Sequence, residues 1–425
     1  MGQTSATAAD MLREAFRQAV AASMPNRALS DRFALLPVAG RTAIVAIGKA
    51  AYPMAERAAA LLGEAAQGLV LTRYGHRPEK SGLPHGLELI EAAHPLPDDA
   101  GTDAARKIMA LVQGLGADDR LIFLASGGGS ALLALPAKGV TLSDKRAVVA
   151  DLLASGASIG EINCVRAHLS AIKGGRLAVA AWPARVETYC ISDVVGDDPA
   201  LIASGPTVPH RTTLTDAREV LRRYDVAVSA RIEKALSDPE NALPSPDHPV
   251  FSSGQPQVIA TNATARNAAA DFLAERGYAV VDLGDIEGDA AEIGAQHAAL
   301  ARDYCDRQDR VAIVSGGECT VRMGSGTGRG GPNGEYLMAL GAALGGAPGI
   351  HALAADTDGI DGNADCAGAV LYPDTLERAR GAGIDWNRAM SQKCSHDVFG
   401  ALGDAIVTGP TMTNVNDLRI VLVDR

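Results

Sequence analysis

Aromatic residues are scarce in this 425-residue chain, at 4% of positions, so its cores cannot rest on ring packing. With 47% of residues hydrophobic, Ala, Val, Leu and Ile must fill them, a mixture that lets helices approach a sheet closely and points to α/β layers. A basic excess is also missing. The formal net charge of −11 argues against nucleic acid as the main partner, because phosphate backbones select basic faces. It leaves room for a small phosphorylated molecule held by a local cluster of cations. Cysteine is sparse and scattered, at Cys164, Cys190, Cys305, Cys319, Cys366 and Cys394. None forms a CxxC pair, which speaks against zinc, and so few in so long a chain make no disulfide scaffold. No stretch approaches about 18 uninterrupted apolar residues, so no membrane span is expected. The N-terminus has no basic-then-apolar signal, and Ala6 breaks the myristoylation pattern that Met1 and Gly2 begin. A cytoplasmic protein with neither nucleic-acid nor membrane partners is expected.

The length calls for two domains. The first forty residues read as a helix with Met11, Ala15, Phe16 and Val20 on one face. Continuous apolar runs then alternate with helical patterns. Strands are predicted over 43–48, 68–73, 87–94, 120–129 and 186–194, and again over 257–262, 278–284, 311–317, 350–359 and 418–424. Helices are predicted over 98–114, 144–156, 161–180, 263–276, 289–305 and 333–345, with Asn262 and Thr264 as an N-cap. Unbroken apolar runs suggest strands covered on both faces, hence two mostly parallel sheets flanked by helices. Between 237 and 256 Pro239, Pro244, Pro246, Pro249 and Pro256 interrupt the pattern. Proline cannot donate to a ladder, so this reads as a linker or long loop dividing residues 1–240 from 241–425.

Four segments carry candidate chemistry. In LIFLASGGGSALL an apolar strand runs into Ser126, Gly127, Gly128, Gly129 and Ser130 and then a helix start. Glycines leave amide N–H groups open, and a helix dipole would add positive potential, so phosphate or carboxylate suits the loop. A tight turn is the plainer reading. Asp193 ends the next strand, where a carboxylate can hold Mg²⁺ or take a proton from a hydroxyl, and Gly205 lies in a turn beyond it. A third stretch places six glycines between Gly324 and Gly334, with Arg322, Arg329 and Asn333 nearby. It looks like a nucleotide-phosphate loop. Gly326, Gly328 and Gly331 also show GxGxxG spacing, but no acidic residue follows about twenty positions on at a second strand end. In the fourth, Asp356, Asp358 and Asp361 crowd a strand end, as metal-binding or turn-forming carboxylates. Lys49 opens a helix, where its charge opposes the dipole unless a phosphate draws it there. A polar run containing Asn414 precedes the last strand.

Taken together, these strings resemble the class II glycerate kinases, whose C-terminal part is the MOFRL domain. The matches are IGKAA at Ile47, SGGGSALL at Ser126, SDVVGDD and IASGPT through Thr207, SGGECTV at Ser315, TDGIDG at Thr357 and TNVNDL at Thr413. The resemblance implies two α/β domains with the active site in the cleft between them. It also implies ATP as co-substrate, Mg²⁺ as metal, D-glycerate as acceptor and 2-phosphoglycerate as product. By position the family's lysine falls on Lys49. Under this reading Lys49, Asp193 and Arg329 are catalytic. Ser126 to Ser130, Gly205, Arg322, Gly328, Asn333 and Asn414 bind substrate or phosphate, and Asp356 and Asp358 are metal candidates. The chain departs from the family at Gly330, Gly331, Pro332, Asn333, Gly334 and Glu335, where many members carry Gly-Gly-Arg-Asn-Gln-Glu, so Arg329 or Arg322 must supply the missing cation. The rival readings are an NAD(P)H-dependent hydroxypyruvate reductase and a non-enzymatic sugar-acid-binding protein.

Overall fold

The computed structural model describes residues 7–29, 38–63, 66–78, 82–252, 254–307, 309–323 and 326–424. Gly324 lies outside them, as do residues 30–37; the helix expected over the first forty residues stops at Ala22, and a four-residue helix, Pro25–Ala28, follows it. The chain divides into two compact units, Pro25–Ile259 and a discontinuous one that joins Met1–Met24 to Ala260–Arg425.

The first unit is built on β1 (Thr42–Ile47), β2 (Gln67–Arg73), β3 (Leu87–Ala92), β4 (Arg120–Ala125) and β5 (Arg185–Ile191), with β6 (Gln257–Ala260) at the edge. Their order is β3-β2-β1-β4-β5-β6, and β1–β2, β2–β3, β1–β4 and β4–β5 all pair in parallel. Every residue of β1 and β4 is buried, which explains their unbroken apolar runs. Val45, Ile47, Leu71 and Phe123 pack with Ala104, Ala105 and Ile108 of the helix Asp99–Gln113. A smaller core joins the helices Leu142–Ala154, Ile159–His168, Leu214–Arg223 and Ala230–Ser237 through Leu152, Val165, Leu221 and Ile232. The proline-rich segment from 237 to 256 is packed against this unit. Asn241 is buried and its Nδ2 donates to Ala235 O at 3.1 Å, while Val250 enters the main core. The chain leaves the unit after Ile259.

The second unit contains β7 (Ala279–Asp285), β8 (Gly288–Asp289), β9 (Val311–Gly316), β10 (Cys319–Thr320), β11 (Ile350–Asp356), β12 (Gly368–Leu371), β13 (Ala405–Ile406) and β14 (Asp417–Val423). Its main sheet has the order β13-β12-β11-β14-β9-β7. Only β7–β9 pair in parallel there; the other four pairings are antiparallel. The parallel expectation therefore holds for the first sheet and needs correction for the second. Four strands point one way, but β12 and β14 run against them because the loops before them contain no crossover helix. Full burial produced the apolar runs without fixing strand direction.

The helix Ala8–Ala22 belongs to this unit and not to the first half of the chain. Its buried stripe, Met11, Leu12, Ala15, Phe16 and Ala19, packs on the helix Asn262–Ala274. That second helix is capped by Thr261, whose N–H donates to Thr264 Oγ1 at 3.1 Å. Asn262 is instead the first helical residue, and its Nδ2 donates to Val415 O at 2.6 Å and Asp417 O at 2.9 Å. Among the described residues no helix is long and apolar enough to cross a membrane.

Candidate active site

In an open parallel sheet, ligands bind beyond the carboxyl ends of the strands where the strand order reverses. In the first unit that place lies between β1 and β4. β1 runs out into Gly48 and Lys49, β4 into Ser126 and the glycines. Lys49 N–H donates to Gly127 O at 2.8 Å, Ala50 N–H to Ser126 Oγ at 3.0 Å, and Ser126 Oγ to Ile47 O at 3.2 Å. A Cβ on Gly48, which has φ +112°, would lie 2.3 Å from Ser126 Oγ, so glycine is required for the approach. The Ser126 hydroxyl thus fastens two strand ends and is fully buried. Gly128 packs the loop on two neighbours: a Cβ there would stand 3.2 Å from His94 Nε2 and 3.4 Å from Lys49 Cγ.

The helix after the loop is a single turn, Gly129–Leu132. The helix dipole invoked from the sequence is correspondingly small, and an anion here needs help from cations. Asp193 lies half-buried just beyond β5, the next strand over. Ile47, Ala125 and Cys190 are in register across β1, β4 and β5, so Lys49, Gly127 and Asp193 leave the same edge of the sheet.

Ala203, Ser204 and Gly205 follow with φ of +53°, +60° and +56°, an unusual run for residues with a Cβ. Ser204 Oγ stands 2.8 Å from Ser130 Oγ and donates to Asn163 Oδ1 at 3.0 Å. Lys173 is fully buried, and its Nζ donates to Ala203 O at 3.1 Å. The sequence reading missed Asn163 and Lys173 because it drew 161–180 as one helix. Gly174 and Gly175, at φ +61° and +85°, split that stretch into Ile159–His168 and Arg176–Ala181. The Gly-Gly pair was the available signal.

In the second unit the glycine-rich stretch packs on its own chain. Cβ atoms on Gly328 and Gly330 would lie 2.5 Å from Cys394 Sγ and 2.2 Å from Ser395 Oγ. One on Gly331 would lie 2.3 Å from Asp361 Oδ1. Pro332 opens the helix Pro332–Leu344, where a missing N–H costs nothing. Asn333 is buried, and its Nδ2 donates to Asp361 Oδ1 at 3.2 Å and Asp417 Oδ1 at 2.6 Å. Asp361 also accepts from the N–H groups of Asn333 at 3.0 Å and Gly334 at 2.9 Å. Burial, reinforced by Asp417, pushes the Asp361 carboxyl up to about 7. Arg419, fully buried, donates to Ser315 Oγ at 3.3 Å and to Gly316 O, with its guanidinium 3.6 Å from Asp417 Oδ2. Arg419 was not legible in the sequence, nor was this use of Asp361 and of Asp417, which reads there only as part of the polar run before the last strand.

Asp356 Oδ1 accepts from Asp358 N–H at 2.9 Å, and Asp358 Oδ1 from Ile360 N–H at 2.7 Å, so both carboxylates shape the turn after β11. Among the described residues no set of three or more His, Cys, Asp or Glu side chains is arranged to hold a metal. Two carboxylates at a strand end are hard oxygen donors of the kind that Mg²⁺ accepts. Asn414 is buried and its Oδ1 accepts from Asn416 N–H at 3.3 Å. The two candidate arginines are surface residues. Arg322 pairs with Asp289 at 3.5 Å and Glu292 at 3.1 Å, and Arg329 with Asp365 at 3.4 Å.

The family model for a domain of unknown function, DUF4147, matches residues 11–237, and that of the MOFRL family matches residues 311–417. A D-glycerate 2-kinase of Thermotoga maritima is 35% identical over 96% of this chain and 97% of its own length. The chain belongs to the class II glycerate kinase family. A solved Thermotoga maritima glycerate kinase superposes with a TM-score of 0.85 at 34% identity, covering 98% of this chain and 99% of that one. An Agrobacterium vitis protein provisionally named hydroxypyruvate reductase is 47% identical over 98% of this chain and 95% of its own length. Within the class II glycerate kinases, then, this chain brings Lys49, Ser126 to Ser130, Asp193 and Gly205 to one sheet edge or its adjoining turns. Its Arg322, Gly328, Arg329, Asn333, Asp356, Asp358 and Asn414 lie in the second unit.

Proposed function

We propose that the chain is a cytoplasmic, ATP-dependent glycerate 2-kinase that phosphorylates the 2-hydroxyl of D-glycerate. The observation that carries this reading is the group formed by Lys49, the Ser126–Ser130 loop and Asp193 at the strand-order reversal of the first sheet. Phosphoryl transfer asks mainly for positioning and charge stabilisation. Asp193 orients the 2-hydroxyl and accepts its proton as the oxygen bonds to the γ-phosphorus and the bond to ADP breaks. The Lys49 ammonium offsets charge on the transferring phosphoryl, and the glycine loop offers amides to an oxyanion. Arg329 is the stronger arginine candidate, because it has one acidic partner to release, an exposed one, where Arg322 has two, one of them, Asp289, largely buried. Asp356 and Asp358 would be the carboxylates to hold a Mg²⁺ carried by the nucleotide, which would withdraw charge from its phosphates.

The test is incubation with ATP and D-glycerate, followed by phosphorus NMR of the product. The 2-phosphate is expected; the 3-phosphate, or no transfer, would overturn the reading. The reductase alternative draws on the Agrobacterium vitis relative. Against it, the glycines with dinucleotide spacing, Gly326, Gly328 and Gly331, pack closely on residues 392–394 and Asp361. Oxidation of NAD(P)H by hydroxypyruvate would reverse that preference.

A further inference from the structure

Beside the Ser130–Ser204 hydroxyl pair lies a group of cations with no acid to balance them. Lys145, on the helix Leu142–Ala154, is buried, and its Nζ has no hydrogen-bond partner. Lys173, fully buried, has only the carbonyl of Ala203. Arg166 is held by Asn163 Oδ1 at 3.1 Å, and the same oxygen receives Ser204 Oγ at 3.0 Å. Among the described residues no carboxylate pairs with any of the three cations, and each lysine feels its cationic neighbours as repulsion. Buried lysines without partners are costly, and a fold keeps them where a ligand supplies the missing charge.

We propose that Lys145, Arg166 and Lys173 form a buried receptor for an oxyanion, with the hydroxyls of Ser130 and Ser204 as its neutral donors. The receptor adjoins the glycine loop directly: Ser130 belongs to that loop, and a Cβ on Gly129 would lie 2.8 Å from Cβ of Ala203, the residue that Lys173 holds. It supplies the cations that the one-turn helix behind the loop lacks. The choice of oxyanions rests on the kinase reading, which offers two, the carboxylate of D-glycerate and the phosphate chain of ATP.

Calorimetric titration of the whole protein in chloride buffer, with D-glycerate in one arm and inorganic tripolyphosphate in the other, separates the sources. Lys145→Met is expected to weaken one of the two ligands at least fivefold, and the arm affected names the group bound. Arg166→Met is read in the same way should the first variant not fold. Less than a fivefold change in both arms, in whichever variant is folded, would overturn the receptor while leaving any kinase activity of the wild type intact. Conversely, anion binding that the variant loses, in a wild type that transfers no phosphoryl, would keep the receptor and sink the kinase.

Discussion

Methionine at position 145 would keep the length of the lysine side chain and remove its charge. Burial, then repulsion from Arg166 and Arg176, lowers the Lys145 ammonium from 10.5 to about 7. Between those two values the unfolded chain binds a proton that the folded chain has largely released. The cost is therefore full below about pH 7 and disappears as the pH rises toward 10.5. At 1.36 kcal/mol for each pH unit, the lysine costs the unliganded fold about 4 kcal/mol at pH 7 and about 1 kcal/mol at pH 10. Lys145→Met should recover most of this, raising the melting temperature by roughly 10 °C at pH 7 for a unit of this size. Thermal melts of both proteins at pH 7 and pH 10, in anion-poor chloride buffer, measure the two differences. A variant no more stable at pH 7, or one whose advantage does not narrow by pH 10, would show that Lys145 is already satisfied in the empty protein.

Lys49→Ala should cost on the order of 3 kcal/mol of transition-state stabilisation, roughly a hundredfold in kcat, with an unchanged melting temperature; activity within twofold of wild type would make it an ordinary lysine. Asp193→Asn keeps the shape but not the charge, so kcat should fall far more than KM rises, and a normal kcat at saturating ATP would assign the residue to turn structure. Asp361, whose carboxyl is raised to about 7 in the fold, binds its proton more tightly there than in the unfolded chain. Its contribution to stability is present below about pH 4 and is lost as the pH rises through 7. Asp361→Asn should flatten the decline of stability between pH 5 and 7, and denaturant melts with an unchanged slope against pH would refute this.

The first sheet was largely legible because β1 and β4 are unbroken buried apolar runs, and three of the five expected segments end at a group of functional interest. The short strands Gly368–Leu371 and Ala405–Ile406 were missed, since such brief runs resemble loops. The five helices at 214–223, 230–237, 375–381, 386–392 and 395–402 were missed as well. Loop chemistry was visible at Ser126–Ser130 because three successive glycines exceed the needs of a turn. Lys145, Lys173 and Arg419 were invisible for the opposite reason. A single lysine or arginine in a sequence reads as a solvated surface residue, and only chain closure over long separations puts it inside. Asp361 and Asp417 meet Asn333 from 28 and 84 positions away, pairings that no local pattern announces.

The discontinuous second unit has a consequence for how the chain is made. The helix Ala8–Ala22 leaves the ribosome about 240 residues ahead of the helix Asn262–Ala274 that covers its apolar stripe. At 5–20 residues per second, Leu12 and Phe16 wait about 12–50 s for their partner, while the first unit, continuous in sequence, can fold in the meantime. This helix is thus made before the first unit and seated after it, and for that interval it is a natural client for any chaperone that holds exposed amphipathic helices.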